Sequence, residues 1–142
     1  MPVSTEDYIA ISDHLGRYCW AVDSNDVDGW VALWTEDAVF SGVTPEPLVG
    51  HAGLRTVPKL EQDIAGGWMR HMVGNLHCDY VGDDQNTVRA RYYNLVTTWN
   101  DGGRNFCCAV CEAVIVRNGQ GWLIRRSDAV MAPGSSAELL PA

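Results

Sequence analysis

Asp23 and His71 are the residues of this chain whose types and setting could do chemistry. Asp23 ends a helical pattern running from Tyr8 to Val22, where a carboxylate faces the negative end of the helix dipole. Such a group is tolerated when a donor lies close, and an imidazole supplies one while gaining orientation and basicity. His71 opens the first long β-pattern, Arg70-His71-Met72-Val73-Gly74-Asn75. If the fold joins the two, they form a carboxylate-oriented general base. Neutral His71 would take an acidic C–H proton while Asp23 holds the other ring nitrogen. On this reading activity falls at acid pH, with a midpoint raised above ~6.5 by Asp23.

Two further residues join the candidate catalytic set. Tyr18 lies five residues before Asp23, an offset of roughly 140° around a helix, so both meet one cavity only if Asp23 sits just past the helix end. There Tyr18 would donate to a developing enolate oxygen or a departing hydroxyl; a plain core tyrosine is the alternative. Arg126 shares strand parity with Trp122 and Ile124, which predicts burial against an anion, with exposure at a sheet edge as the alternative. Trp30, Trp34, Phe40, Tyr92, Phe106 and Trp122 are the candidate pocket lining. Six tryptophans exceed what a core of this size needs, which suggests a pocket for a flat, apolar ligand.

The remaining histidines read as structural. His14 falls on the exposed face of the first helix, His51 in a loop, and His77 shares parity with His71 unless Gly74 marks a bulge. No histidine has a partner at metal-ligand spacing. Cys108 and Cys111 form a C-x-x-C, but within the strand-like run Phe106 to Val116, where alternation sends the two thiols to opposite faces. No metal and no cofactor are expected, since an elimination keeps its electrons within the substrate.

These residues must be positioned by two kinds of element. Ser4 with Asp7 resembles a capping box ahead of Tyr8, Ile11, Leu15, Tyr18, Cys19 and Val22 at helical spacing. Asn25 or Asp26 caps a second short helix carrying Val27, Trp30, Val31 and Trp34, and Asp37 to Gly42 reads as a short strand. Pro45 and Pro47 confine the next stretch to a loop or edge strand. A third helix runs from about His51 to Ile64, irregular near Pro58, and Gly66-Gly67 ends it. From Trp68 the period changes to β: Arg70 to Val81, Thr87 to Trp99, Asn105 to Arg117 and Trp122 to Met131, separated by Gly/Asn/Asp turns that imply antiparallel hairpins. The expected architecture is one α+β domain over residues 1–142, three N-terminal helices packed in a curved, mainly antiparallel sheet, with a mobile tail at 133–142 from which Leu139-Leu140 could dock. A cone of this kind offers an apolar mouth to small molecules.

Composition narrows the partners. The 142 residues are 46% hydrophobic and 20% charged, ordinary for a globular domain. A net charge of −8, with Lys59 the single lysine and the arginines scattered, argues against nucleic acid and anionic membranes. No apolar run reaches the ~20 residues of a bilayer span, and the acidic N-terminus lacks a signal peptide's pattern, so a cytoplasmic location and reduced thiols are expected. Asn105 to Arg117 is apolar on both parities, so one face should fill the cone and the other should meet a partner sheet in a homodimer or higher homo-oligomer.

Tyr18-x4-Asp23, Asp26-x3-Trp30 and Leu33-Trp34-Thr35-Glu36-Asp37-Ala38-Val39-Phe40 resemble the opening of SnoaL-like proteins, within the nuclear transport factor 2-like superfamily. His71-x3-Asn75, the Gly82-Asp83 turn and Gly121-Trp122-Leu123-Ile124-x-Arg126 are similar to the rest of that pattern. The resemblance implies the cone-shaped cystatin-like fold. Its Asp-His pair is similar to that of scytalone dehydratase, bile acid 7α-dehydratase and hexachlorocyclohexane dehydrochlorinase, where the histidine removes a proton and the aspartate holds it. It implies a role for Tyr18, as in the bile acid enzyme, and for Arg126, with Arg125 as a substitute. The lysine of the dehydrochlorinase and the second histidine of scytalone dehydratase have no counterpart. A cofactor-independent lyase or isomerase acting on a small hydrophobic substrate, polycyclic ones included, is the leading expectation. A non-catalytic ligand binder, an oxygenase structural subunit, or a hydrolase or cyclase in the same cavity are the alternatives.

Overall fold

The computed structural model describes residues 1–135; the proposed docking of Leu139-Leu140 lies outside them. Helix α1 (Thr5–Asp23) starts where Ser4 accepts the amide of Asp7 at 3.1 Å. It buries Ile11, His14, Leu15, Tyr18, Cys19 and Val22, one stripe at helical spacing. His14 is thus an inward residue, not an exposed one, and its Nε2 is 3.0 Å from the Leu33 carbonyl. Asn25 takes a left-handed conformation (φ 57°) at the turn. Asp26 then caps α2 (Val27–Val31) by accepting from Gly29.

Trp34 belongs to strand β1 (Trp34–Ser41), not to the second helix, because α2 stops after Val31. After a two-residue edge strand β2 (Leu48–Val49), the single expected helix is two: α3 (Gly50–Leu54), which holds His51, and α4 (Thr56–Ala65). The break falls at Arg55. Pro58 sits in the first turn of α4, where its missing N–H costs nothing. Strands β3 (Met69–Tyr80), β4 (Thr87–Thr98), β5 (Arg104–Asn118) and β6 (Gly121–Met131) complete a six-stranded sheet in the order β2-β1-β6-β5-β4-β3. Among the described residues every strand pairing is antiparallel except β1 with β6.

Three register shifts bend the long strands, between Gly74 and His77, Val96 and Thr97, and Val114 and Ile115. Each resets which side chains face inward. The first turns His77 out to solvent. The second lets adjacent Phe106 and Cys107 both face the interior, although simple alternation separates them. Cys111 is buried while Cys108 is half-exposed, and all five thiols are free.

Helices α1, α2 and α4 fill the hollow of the sheet. At its centre Trp30, Trp34, Phe40 and Tyr18 pack with ring centroids 5.2–6.2 Å apart, and both indoles are almost wholly buried. Trp34→Ala should therefore cost about 3–5 kcal/mol in denaturant unfolding. A cost under 1 kcal/mol would show that this cluster is not the core.

Candidate active site

The end of α1 and the start of β3 lie side by side, and His71 meets Asp23 twice. Its Nδ1 is 2.6 Å from Asp23 Oδ1, and its backbone amide donates to Oδ2 at 3.0 Å. Both Asp23 oxygens are thus engaged, which fixes the carboxylate and through it the ring. On the far side of the imidazole, Nε2 lies 3.2 Å from Glu61 Oε1. The side chains of His71, Asp23 and Glu61 are only 6%, 11% and 14% exposed.

Glu61 was not among the residues singled out from sequence. Its signal was there: Val57, Leu60, Glu61 and Ile64 occupy i, i+3, i+4 and i+7 of α4, so a carboxylate stands on an apolar stripe. The four line one cavity together with Tyr18, His71, Asn94 and residues of the sheet's concave face. Among the described residues, Glu61 Oε2 and Asn94 Oδ1 are buried there without a partner. Orphaned buried acceptors are costly and ask for a donor. The donor atoms of Asp23, Glu61 and His71 lie within 4.8 Å of one another. The carboxylates, however, hold opposite ring nitrogens, and a ring offers a single metal only one of them, so this is a hydrogen-bonded relay.

Electrostatics follow from that clamp. Burial works to lower the proton affinity of His71, but the charge of Glu61 and hydrogen bonds to Asp23 and Glu61 outweigh it and raise the pKa to about 10. The imidazole therefore holds its proton at neutral pH, whereas the sequence predicted a neutral base. Burial also pushes Tyr18 well up, so its phenol is a neutral donor. The cavity thiols Cys111 and Cys107 rise to about 12 and about 11, again through burial first, and remain protonated.

The other predicted residues divide. Tyr18, Phe40 and Phe106 line the cavity. Trp30, Trp34, Tyr92 and Trp122 do not, and are core residues instead. Asp23, the last residue of α1, borders an outer groove beside Trp20 and Met72 and reaches the cavity only through His71. Arg126 is not a site residue. The shift between Val114 and Ile115 makes Arg125 an extra residue in β6, so parity reverses after Ile124 and Ser127 turns inward. Arg126 then faces solvent and grips Asp128 at 2.7 and 2.8 Å, while Arg125 is exposed too. The cavity is narrow, about 60 Å³, room for a few waters. Unbranched Met69 and Met131 in its wall can widen it by rotation.

Comparison with known proteins fits this architecture. No curated protein sequence matches the chain significantly. A Nostoc punctiforme protein of unknown function with a cystatin-like fold superposes with a TM-score of 0.82 at 16% identity, covering 95% of this chain and 98% of that one. ActVI-ORFA from Streptomyces coelicolor gives 0.73 at 21%, covering 87% and 96%. A Novosphingobium aromaticivorans protein named provisionally as a scytalone dehydratase gives 0.71 at 16%, covering 89% and 85%. Residues 3–128 match the model of the SnoaL-like domain, so the chain belongs to the SnoaL-like family and has its cystatin-like, nuclear transport factor 2-like fold.

Proposed function

We propose that this protein is a cofactor-independent lyase or isomerase. It removes a proton beside a carbonyl of a small hydrophobic substrate, and where a hydroxyl stands on the next carbon it eliminates water. Family membership and the fold shared with a protein named as a scytalone dehydratase support a small-molecule-processing enzyme. The observation that carries the finer reading is buried His71 in the wall of a largely apolar cavity, backed from outside that wall by the Asp23 carboxylate. A buried, oriented, charged pair is a costly arrangement for a core and a useful one for proton transfer. Tyr18 donates to the enolate oxygen. The orphaned Asn94 Oδ1 favours a substrate that brings a hydroxyl. The narrow volume favours a small aromatic hydroxy-carbonyl compound over a steroid. Candidate compounds that raise the melting temperature should lose water, followed by mass spectrometry. Binders that are all returned unchanged would favour the non-catalytic reading.

Self-association is proposed on the outer sheet face. Gly74, Tyr93, Val110 and Val130 form one cross-strand row, and Met72, Leu95 and Cys108 the next. Tyr93, Val110 and Val130 are half or more exposed, while Arg91, Glu112 and Asp128 border them. A second copy covers such a face in a homodimer. Light scattering at micromolar concentration should give a dimer for the wild type and a monomer for Val110→Glu; a wild-type monomer would refute it.

A further inference from the structure

We infer that Glu61, not His71, is the catalytic residue that exchanges protons with the substrate, and that His71 and Asp23 are positioning residues that hold the Glu61 carboxylate charged and aimed. The inference rests on the lyase or isomerase reading above and assigns its central role.

The geometry leaves His71 no free nitrogen. Nδ1 is occupied by Asp23 and Nε2 by Glu61 Oε1. A base needs an open lone pair within reach of the substrate. In this cluster the free acceptor among the described residues is Glu61 Oε2, buried and unpartnered in a residue that lines the cavity. Asp23 is absent from the cavity wall. The order is therefore cavity, Glu61, His71, Asp23, with the imidazolium between two carboxylates.

The step balances without an external reagent. Glu61 Oε2 takes the proton from the carbon beside the carbonyl, and the C–H electron pair forms the enolate, whose oxygen meets Tyr18. As the enolate collapses, a C=C bond forms and the C–O bond on the next carbon breaks. The departing hydroxide takes the proton from Glu61 and leaves as water, which restores the carboxylate. In an isomerisation the same proton returns to a different carbon.

Asp23 from α1 and Glu61 from α4 act on His71 directly; Tyr18 from α1 and Cys107 and Cys111 from β5 share its cavity, Cys19 from α1 borders it on the groove side, and Tyr92 from β4 lies beyond, beside Cys19 and Cys111. Burial keeps the phenols and thiols neutral through pH 9, and the neighbouring Arg70 turns to the carbonyls of Gly67 and Met69. The two carboxylates alone therefore set the charge on the ring.

The test needs no known substrate. Styrene oxide, a small aromatic epoxide, is opened by a carboxylate that faces an apolar cavity, giving an ester that peptide mass spectrometry locates. The full chain should carry it on Glu61, and Glu61→Gln should carry none. An adduct on His71 or Asp23, or none on any of the three, overturns the inference. In parallel, the imidazole resonances of His71 should titrate near pH 10 in the wild type and about two pH units lower in folded Glu61→Gln. An unchanged midpoint also overturns it. With a substrate in hand, activity should persist from pH 7 to 9 and fall as His71 loses its proton near 10. A neutral His71 base would instead gain activity about tenfold per pH unit over that range. The label and the titration report on Glu61 even if no substrate loses water, so failure of the lyase reading is seen separately.

Discussion

Replacing His71 by alanine should remove nearly all turnover per folded molecule, and should also lower stability, because it takes the cation out of a buried cluster. The ring is the bridge between Asp23 and Glu61, and without it two buried carboxylates face one another with no cation between them. Glu61 then loses the cation that holds and aims its carboxylate, and with it its competence as a base. Asp23→Asn keeps a group of similar shape but removes the charge that supports the imidazolium. Losses of about 10²–10⁴-fold are expected, since the same change in a hydrolase triad costs about 10⁴. A purely structural role predicts the same loss of stability but turnover per folded molecule close to wild type. Turnover per folded molecule separates the two.

The second large effect is on stability against pH. His71 has a pKa of about 10 in the native protein against an ordinary 6.5. Below 6.5 both native and unfolded chains carry the proton, and the clamp's full contribution is present. Above it the unfolded chain releases a proton that the native one keeps, so stability falls as pH rises, by up to about 1.4 kcal/mol per unit, until the native group titrates near 10. The total is on the order of 5 kcal/mol. Denaturant unfolding between pH 6.5 and 9 should show this slope in the wild type and a much flatter one in Glu61→Gln. Buried thiols such as Cys19, ordinarily near 9 and here raised to about 12, add to the loss only above that window. Stability that is flat, or rises with pH, would mean that His71 is neutral in the native state.

What the sequence revealed follows the physics of each signal. Helix α1, the four long strands and the Asp23–His71 pair were legible because they rest on local periodicity, caps, and a carboxylate in a position that needs a donor. Arg126 was misread because strand parity assumes unbroken alternation. The extra residue at Arg125 carries no mark in composition, and bulges are set by curvature and register. Trp30 and Trp34 were assigned to the pocket because aromatic count cannot tell a core from a lining, and helix packing settles that. The parallel pairing of β1 with β6 joins segments some ninety residues apart, beyond any local pattern. Glu61 was legible but unread: one acid on a helix's apolar stripe is a conspicuous cost, and its reason appears only when β3 brings His71 to it.

The central claim is that the buried Asp23–His71–Glu61 cluster moves protons on and off carbon. The most direct measurement is solvent exchange. A small aromatic ketone shown by thermal shift to bind is incubated in deuterium oxide, and deuterium at the carbon beside the carbonyl is followed by mass spectrometry. The wild type should incorporate deuterium far faster than buffer, and equally folded His71→Ala and Glu61→Gln should fall to near the buffer rate. Exchange by wild type no faster than buffer, or undiminished in the two variants, would contradict the account.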